Sequence, residues 1–152
     1  MFSSRDIILL LITALSILII DQYIKSLFID GTFWQSSCLS LTFALNKGVA
    51  FSMFASLGEN LKFIQITLIL AVVIYLYFEE EMISKYPLPL GLIIGAGVSN
   101  IIDRFTQGGV VDYVYWHCGF DFAIFNFADV MIDLGVGLII LLTFLEWKKE
   151  KK

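Results

Sequence analysis

Four runs of apolar residues, each close to the length of a membrane span, decide what this chain can become. They lie at about 7–29, 61–78, 88–102 and 128–147, and the charges fall mostly between them. An α-helix of about 20 apolar residues crosses the hydrocarbon core of a bilayer. It can do so because every backbone hydrogen bond closes within the helix, as lipid demands. Composition agrees: 59% of the residues are hydrophobic, against roughly 45–50% in a soluble domain. The predicted fold is an all-α membrane protein with four transmembrane helices. In 152 residues these spans leave little for a separate soluble domain, so 1–152 reads as a single integral-membrane unit.

The first run follows Arg5 and ends in Asp21-Gln22-Tyr23-Ile24-Lys25. A cleaved signal peptide is one reading, but cleavage wants small residues and none stands there. A retained first span is the expectation. Between spans one and two, the run Leu39-Ser40-Leu41-Thr42-Phe43-Ala44-Leu45 alternates apolar with small or polar residues, the period of a strand. A short sheet at the membrane surface follows. The segment 79–89 is read as an acidic turn, and 104–127 as a second long loop. In span three, Gly91 and Gly95 stand four apart with Gly97 close by, a spacing that lets helices approach closely.

Lysines 148, 149, 151 and 152 favour a cytoplasmic C-terminus, and four spans then put the N-terminus inside too. Both long loops fall outside. Trp34, Trp116 and Trp147 suit the interface. A net charge of −4, with basic residues clustered only in the tail, argues against a nucleic-acid partner. Cys38 and Cys118 make no CxxC motif, and the single His117 completes no ligand set. No metal and no other cofactor is expected, and the two thiols are expected to be free.

Ionisable groups in a membrane span are expensive, so each one is a functional candidate. Asp21 and Lys25 lie near the end of span one; Asn100, Asp103 and Arg104 end span three; Asp112 follows; Asn126 and Asp129 open span four. With spans one and three running outward and span four returning, all converge at one level near the outer surface. Bland readings stand beside the functional one. Asp21 and Lys25 could be an i,i+4 ion pair. Asp103 and Arg104 could be a salt bridge or cap at a helix end, and Asp129 a charge on a helix N-terminus. Asp112, in the extended run Val110-Val111-Asp112-Tyr113-Val114, has no such excuse. Two carboxylates without a Cys/His or Ser/His constellation point to aspartyl chemistry. Carboxyls held close together cannot both ionise, and hydrolysis uses that mixed state.

At these residues the chain resembles the lipoprotein signal peptidase, or signal peptidase II, family. Its boxes appear in order: Asp21-Gln22-Tyr23-Ile24-Lys25, Asn46-Lys47-Gly48-Val49-Ala50-Phe51, Asn100-Ile101-Ile102-Asp103-Arg104, Val110-Val111-Asp112-Tyr113 and Phe125-Asn126-Phe127-Ala128-Asp129. The resemblance implies a membrane aspartyl endopeptidase. Its substrate would be a prolipoprotein, cut just before a cysteine carrying diacylglycerol. It implies Asp112 and Asp129 as the catalytic pair. It implies Asn46, Gly48, Asn100, Arg104 and Asn126 as substrate-binding or dyad-supporting residues. Asp21, Lys25 and Asp103 become neighbours or structural support. It further implies a small sheet from the first outer loop and a mobile flap from the second. The setting is the bacterial cytoplasmic (inner) membrane, among its lipids, and a monomer is expected.

Two positions depart from the family pattern. Ser99 replaces a usual glycine, which should alter helix packing slightly. Asp133 replaces a usually neutral residue, one turn deeper than Asp129 on the same helix face. Two rival classes fit the residues less well. A proton- or ion-coupled transporter also uses intramembrane acids, but tends to show internal repeats and midplane sites. An anchoring subunit without a site leaves Asp112 unexplained.

Overall fold

The computed structural model describes residues 3–48, 53–58 and 60–151. Helix α1 (Ser4–Ile29) starts at a reciprocal cap. Ser3 Oγ accepts the Asp6 N–H, and the Asp6 carboxylate accepts the Ser3 N–H. The chain continues through β1 (Trp34–Gln35), β2 (Leu39–Asn46) and a short 3-10 turn (Ala55–Leu57). Then come α2 (Asn60–Phe78), α3 (Glu80–Lys85), α4 (Pro87–Thr106), β3 (Val110–Trp116) and α5 (Phe127–Glu150). Helices α1, α2, α4 and α5 are each long and apolar enough to cross a membrane.

The two differences from expectation that bear on the architecture flank and extend span three. The segment expected to be a turn after span two holds α3, with Glu80 and Glu81 in its first turn and Lys85 in its last. Those charges suit the helix dipole at each end. Helix α4 runs four residues past its expected end, so Asn100, Asp103 and Arg104 stand inside its last turns. Their polar groups find partners on other elements, described below, so nothing forces the helix to stop.

Helix α4 is the hub. Of its apolar stretch, 56% is buried within the protein, against 11% for each other span. Helix association in lipid depends on close packing rather than on a hydrophobic drive, and the glycines supply it. A Cβ on Gly91 would lie 2.7 Å from the Leu10 carbonyl oxygen of α1, and one on Gly95 would lie 2.8 Å from Ala14 Cα. Across α4's other sides, a Cβ on Gly97 would press Ile69 of α2 at 3.0 Å. Gly135 of α5 sits equally tightly on Ile93 and the Pro89 carbonyl. At the end remote from the site, Lys85 pairs with Glu146 and Tyr86 bonds Thr143 at 2.8 Å. These contacts tie the α3–α4 corner to α5.

The sheet is antiparallel in the order β1-β2-β3, so the two long loops build it together. Ala44 pairs with Asp112 and Asn46 with Val110, after an irregularity between Leu41 and Ala44. Residues two apart on a strand share a face, so this register puts Asn46 and Asp112 on one side. On the other, Tyr113 stacks on Phe28 of α1 with ring centres 4.3 Å apart. The first half of the second loop is thus a fixed strand rather than part of a flap. Only the segment after Trp116 is left to overhang the site. That segment returns beside β3, with Phe125 and Val114 exchanging hydrogen bonds of 3.1 and 2.8 Å.

Cys38 and Cys118 form a disulfide, which overturns the expectation of free thiols. The register is the cause. Leu39 pairs with Trp116, and the His117 N–H donates to the Cys38 carbonyl at 2.9 Å, so residues 80 apart in sequence become neighbours.

Candidate active site

Asn126 is the residue that joins the two central carboxylates. It is the N-cap of α5 and is fully buried. Its Oδ1 accepts the Asp129 N–H at 2.8 Å, while the Asp129 carboxylate accepts the Asn126 N–H at 3.2 Å. Because the backbone claims Oδ1, the side-chain NH2 must face the other way. It donates to Asp112 Oδ1 at 2.7 Å. One capping residue therefore fixes Asp129 through the helix start and Asp112 across the gap to β3.

Asn100 of α4 is oriented by the same logic. Lys25 has only protons to offer, and its ammonium meets Asn100 Oδ1 at 2.7 Å. The Asn100 amide group is left pointing at Asp129 Oδ1, 3.0 Å away. Asn46 completes the set: its Oδ1 accepts the Gly48 N–H at 2.9 Å, and its NH2 donates to Asp112 Oδ2 at 3.0 Å. Each carboxylate oxygen of Asp112 and Asp129 thus receives a neutral N–H. Among the described residues, no cation is within ion-pair distance of either.

Behind this pair lies a second one, with a cation between its members. Lys25 meets Asp21 and Asp103, each at 2.7 Å, and all three side chains are buried. Asp21 also accepts the Ala128 N–H at 2.9 Å and the Ser99 hydroxyl at 2.6 Å. Asp103 accepts the Val111 N–H at 3.1 Å and the Gln22 amide at 2.8 Å. Ala128 precedes Asp129 and Val111 precedes Asp112. The rear carboxylates therefore hold the two backbone positions from which the front carboxylates project. The i,i+4 pairing of Asp21 with Lys25 is real and is one part of this network. Asp103 pairs with Lys25 rather than with its neighbour Arg104. Ser99 does more than alter packing, since its hydroxyl donates to Asp21 and accepts from Gln22 at 2.9 Å.

Arg104 stands to one side, 7% exposed. Its Nε–H donates to Gln65 of α2 at 2.6 Å, and Nη2 donates to the Gly48 carbonyl. The family box at Asn46 continues through Val49, Ala50 and Phe51, which lie outside the described residues. A cavity of about 540 Å³ opens over these groups. Asn46, Asn100, Arg104, Asp112 and Asp129 give it polar groups, and Phe122, Ile124, Phe125 and Ile132 give it apolar walls. Asp133 also lines it. Every residue expected at the site is therefore in the front set, the rear set or the Arg104 group. Gln22 and Gln65 were missed. Both are uncharged polar residues in membrane-length helices, and searching the spans for amides as well as charges would have found them.

Asp112 lies on β3, 2% exposed. Burial, then the charge of Asp129, pushes its carboxyl up from 3.8 to about 6, against the hydrogen bonds of Asn46 and Asn126. An acid held near neutrality beside a second carboxylate can share one proton with it. Such a pair can both accept a proton from water and give one to a carbonyl oxygen, which is hydrolytic chemistry.

This arrangement has relatives. A family model described as Signal peptidase (SPase) II matches residues 13–145. The chain is 55% identical over 140 residues to the lipoprotein signal peptidase of Sulfurimonas denitrificans, covering 92% of this chain and 90% of that one. It is 48% identical over 136 residues to the lipoprotein signal peptidase of Campylobacter jejuni, covering 90% and 86%. A solved bacterial membrane enzyme superposes with a TM-score of 0.78 at 27% identity, over 94% of this chain and 91% of that one. With the match running along nearly all of each chain, this protein belongs to the signal peptidase II family.

Proposed function

We propose that the chain is a membrane aspartyl endopeptidase that removes the signal peptide from diacylglyceryl-modified prolipoproteins, cutting before the lipidated cysteine. Asp112 and Asp129 are its catalytic pair. The observation that carries this reading is the set of neutral amides aimed at two carboxylates on one cavity. Among the described residues, they fix both acids without an ion pair to a cation that would hold both ionised.

The ionised carboxyl takes a proton from a water as that water attacks the scissile carbonyl. The protonated carboxyl gives its proton to the carbonyl oxygen, forming a neutral gem-diol. Collapse of the gem-diol returns a proton to the pair while the departing nitrogen takes one, and the peptide bond breaks. The net reaction consumes one water and leaves the pair with one proton. Arg104, with Asn46 and Asn100 beside it, offers N–H groups suited to substrate backbone carbonyls. The remaining site assignments follow: Asp21, Lys25, Asp103 and Asn126 support the pair, and Gly48 anchors Arg104.

The site faces the outside of the cytoplasmic membrane in this reading, with both termini inside. Two independent features support it. Arg5, Lys85 and the lysine tail collect at the end remote from the site, as cytoplasmic loops do. The Cys38–Cys118 disulfide lies at the site end, and disulfides persist in oxidising compartments. All the groups named come from one chain, which supports a monomer working among membrane lipids as a single domain. The direct test is purified protein in lipid vesicles with a lipidated precursor. A shorter product and a released signal peptide are expected; an unchanged precursor overturns the reading.

A further inference from the structure

We propose that Gln65 is a positioning residue that sets the plane in which Arg104 meets the substrate; this rests on the peptidase reading above. Helix α2 has two uncharged polar side chains in its second turn, Gln65 and Thr67. Thr67 bonds back to the Phe63 carbonyl of its own helix at 2.9 Å, which satisfies it locally. Gln65 instead reaches to α4, where its Oε1 accepts the Arg104 Nε–H at 2.6 Å. An amide in a membrane span is costly unless it is partnered, so this contact is selective in space. It is also built for. Ile69, one turn along α2, packs where Gly97 lacks a side chain, at 3.0 Å from where its Cβ would be. That gap lets α2 approach α4 on the face that carries Arg104.

The guanidinium is rigid, planar and carries five N–H groups. Gln65 holds Nε–H and the Gly48 carbonyl holds Nη2, so one edge of the plane is clamped between α2 and the first loop. The orientation of the other N–H groups toward the cavity is then fixed before substrate arrives. Gln65 acts through Arg104, as its bond is to the guanidinium and not to the catalytic pair. With Gln65 removed, Arg104 would have to be ordered by the substrate itself, which weakens binding more than the chemical step.

The test compares Gln65→Leu, which removes the acceptor at similar volume, with Gln65→Glu, which keeps it, each alone and with Arg104→Lys. Lysine has no Nε–H edge to clamp. Gln65→Leu should raise KM about tenfold, as expected for losing one hydrogen bond to a charged group. Its kcat should change less, and Gln65→Glu should keep most of the wild-type KM. In the Arg104→Lys background, Gln65→Leu should change KM by no more than about twofold, because the coupling partner is gone. The Arg104 Nε–H resonance in ¹⁵N spectra should move in Gln65→Leu whatever the activity. An unmoved resonance, an unchanged KM, or an equal loss in both backgrounds overturns the proposal. Absence of cleavage by the unmodified protein would instead count against the peptidase reading.

Discussion

The site contains two pairs of aspartates that differ in one respect: what stands between their members. Asp21 and Asp103 have the Lys25 ammonium between them, at 2.7 Å from each. Asp112 and Asp129 have the Asn126 side chain between them, and among the described residues their other partners are amide N–H groups. The Lys25 ammonium ties two carboxylates into one buried ion-pair network and turns them into anchors. An uncharged bridge brings two carboxylates together and leaves their repulsion in place, so that a proton is the natural mediator. The rear pair holds the backbone at Val111 and Ala128; the front pair faces the cavity.

The sharpest way to break this comparison is to neutralise one acid of the front pair. Asp112→Asn and Asp129→Asn should each reduce cleavage by on the order of 10³-fold or more, since general acid–base action is lost. The double variant should be no worse, as parts of one unit are non-additive. All three should still fold in membranes. Substantial cleavage by either single variant would remove the distinction between the pairs.

Lys25→Met attacks the rear pair in the opposite manner. It leaves two buried carboxylates facing each other without their cation. Breaking a buried ion pair by removing one partner costs about 3–5 kcal/mol, so the variant should unfold at markedly lower temperature in detergent. An unaltered melting temperature would show that Lys25 does not hold the rear pair together.

A smaller effect distinguishes the pairs by pH. Burial holds the Asp112 carboxyl at about 6 in the folded protein, above its ordinary value near 3.8. Between those values the folded state binds more protons than the unfolded chain, so stability falls as pH rises through that window. The loss is at most about 3 kcal/mol, at roughly 1.4 kcal/mol per unit. Melting curves should show it in the unmodified protein and lose it in Asp112→Asn. A variant that keeps the full slope would assign the titration elsewhere.

The smallest effect belongs to Asp133, which lines the cavity one turn beyond Asp129. A third carboxylate there should help hold a proton on the front pair. Asp133→Asn should move the basic limb of the rate–pH profile downward by a fraction of a unit while leaving most activity. An unmoved limb would show that the front pair is insulated from it.

Much of this protein is legible in its sequence. Four spans followed from apolar length, and Asp112 stood out because a lone acid sat in an extended, β-branched run. The order of the short boxes along the chain pointed to the family. Those are properties of residue type and local spacing, and a one-dimensional string carries them. The tertiary structure decided which atoms meet. Lys25 and Asn100 are 75 residues apart, and Gln22 and Asp103 are 81 apart. Cys38 and Cys118 pair across 80 because of a strand register that neither loop reveals alone. The orientation of an asparagine amide depends on which neighbour can only donate, and Gln65 matters because Gly97 lets two helices close on it. Sequence therefore names the charged and polar groups that a membrane would not tolerate idly. The fold alone says which of them meet an opposite charge and which meet amides, because that depends on distances of about 3 Å between elements far apart in the chain.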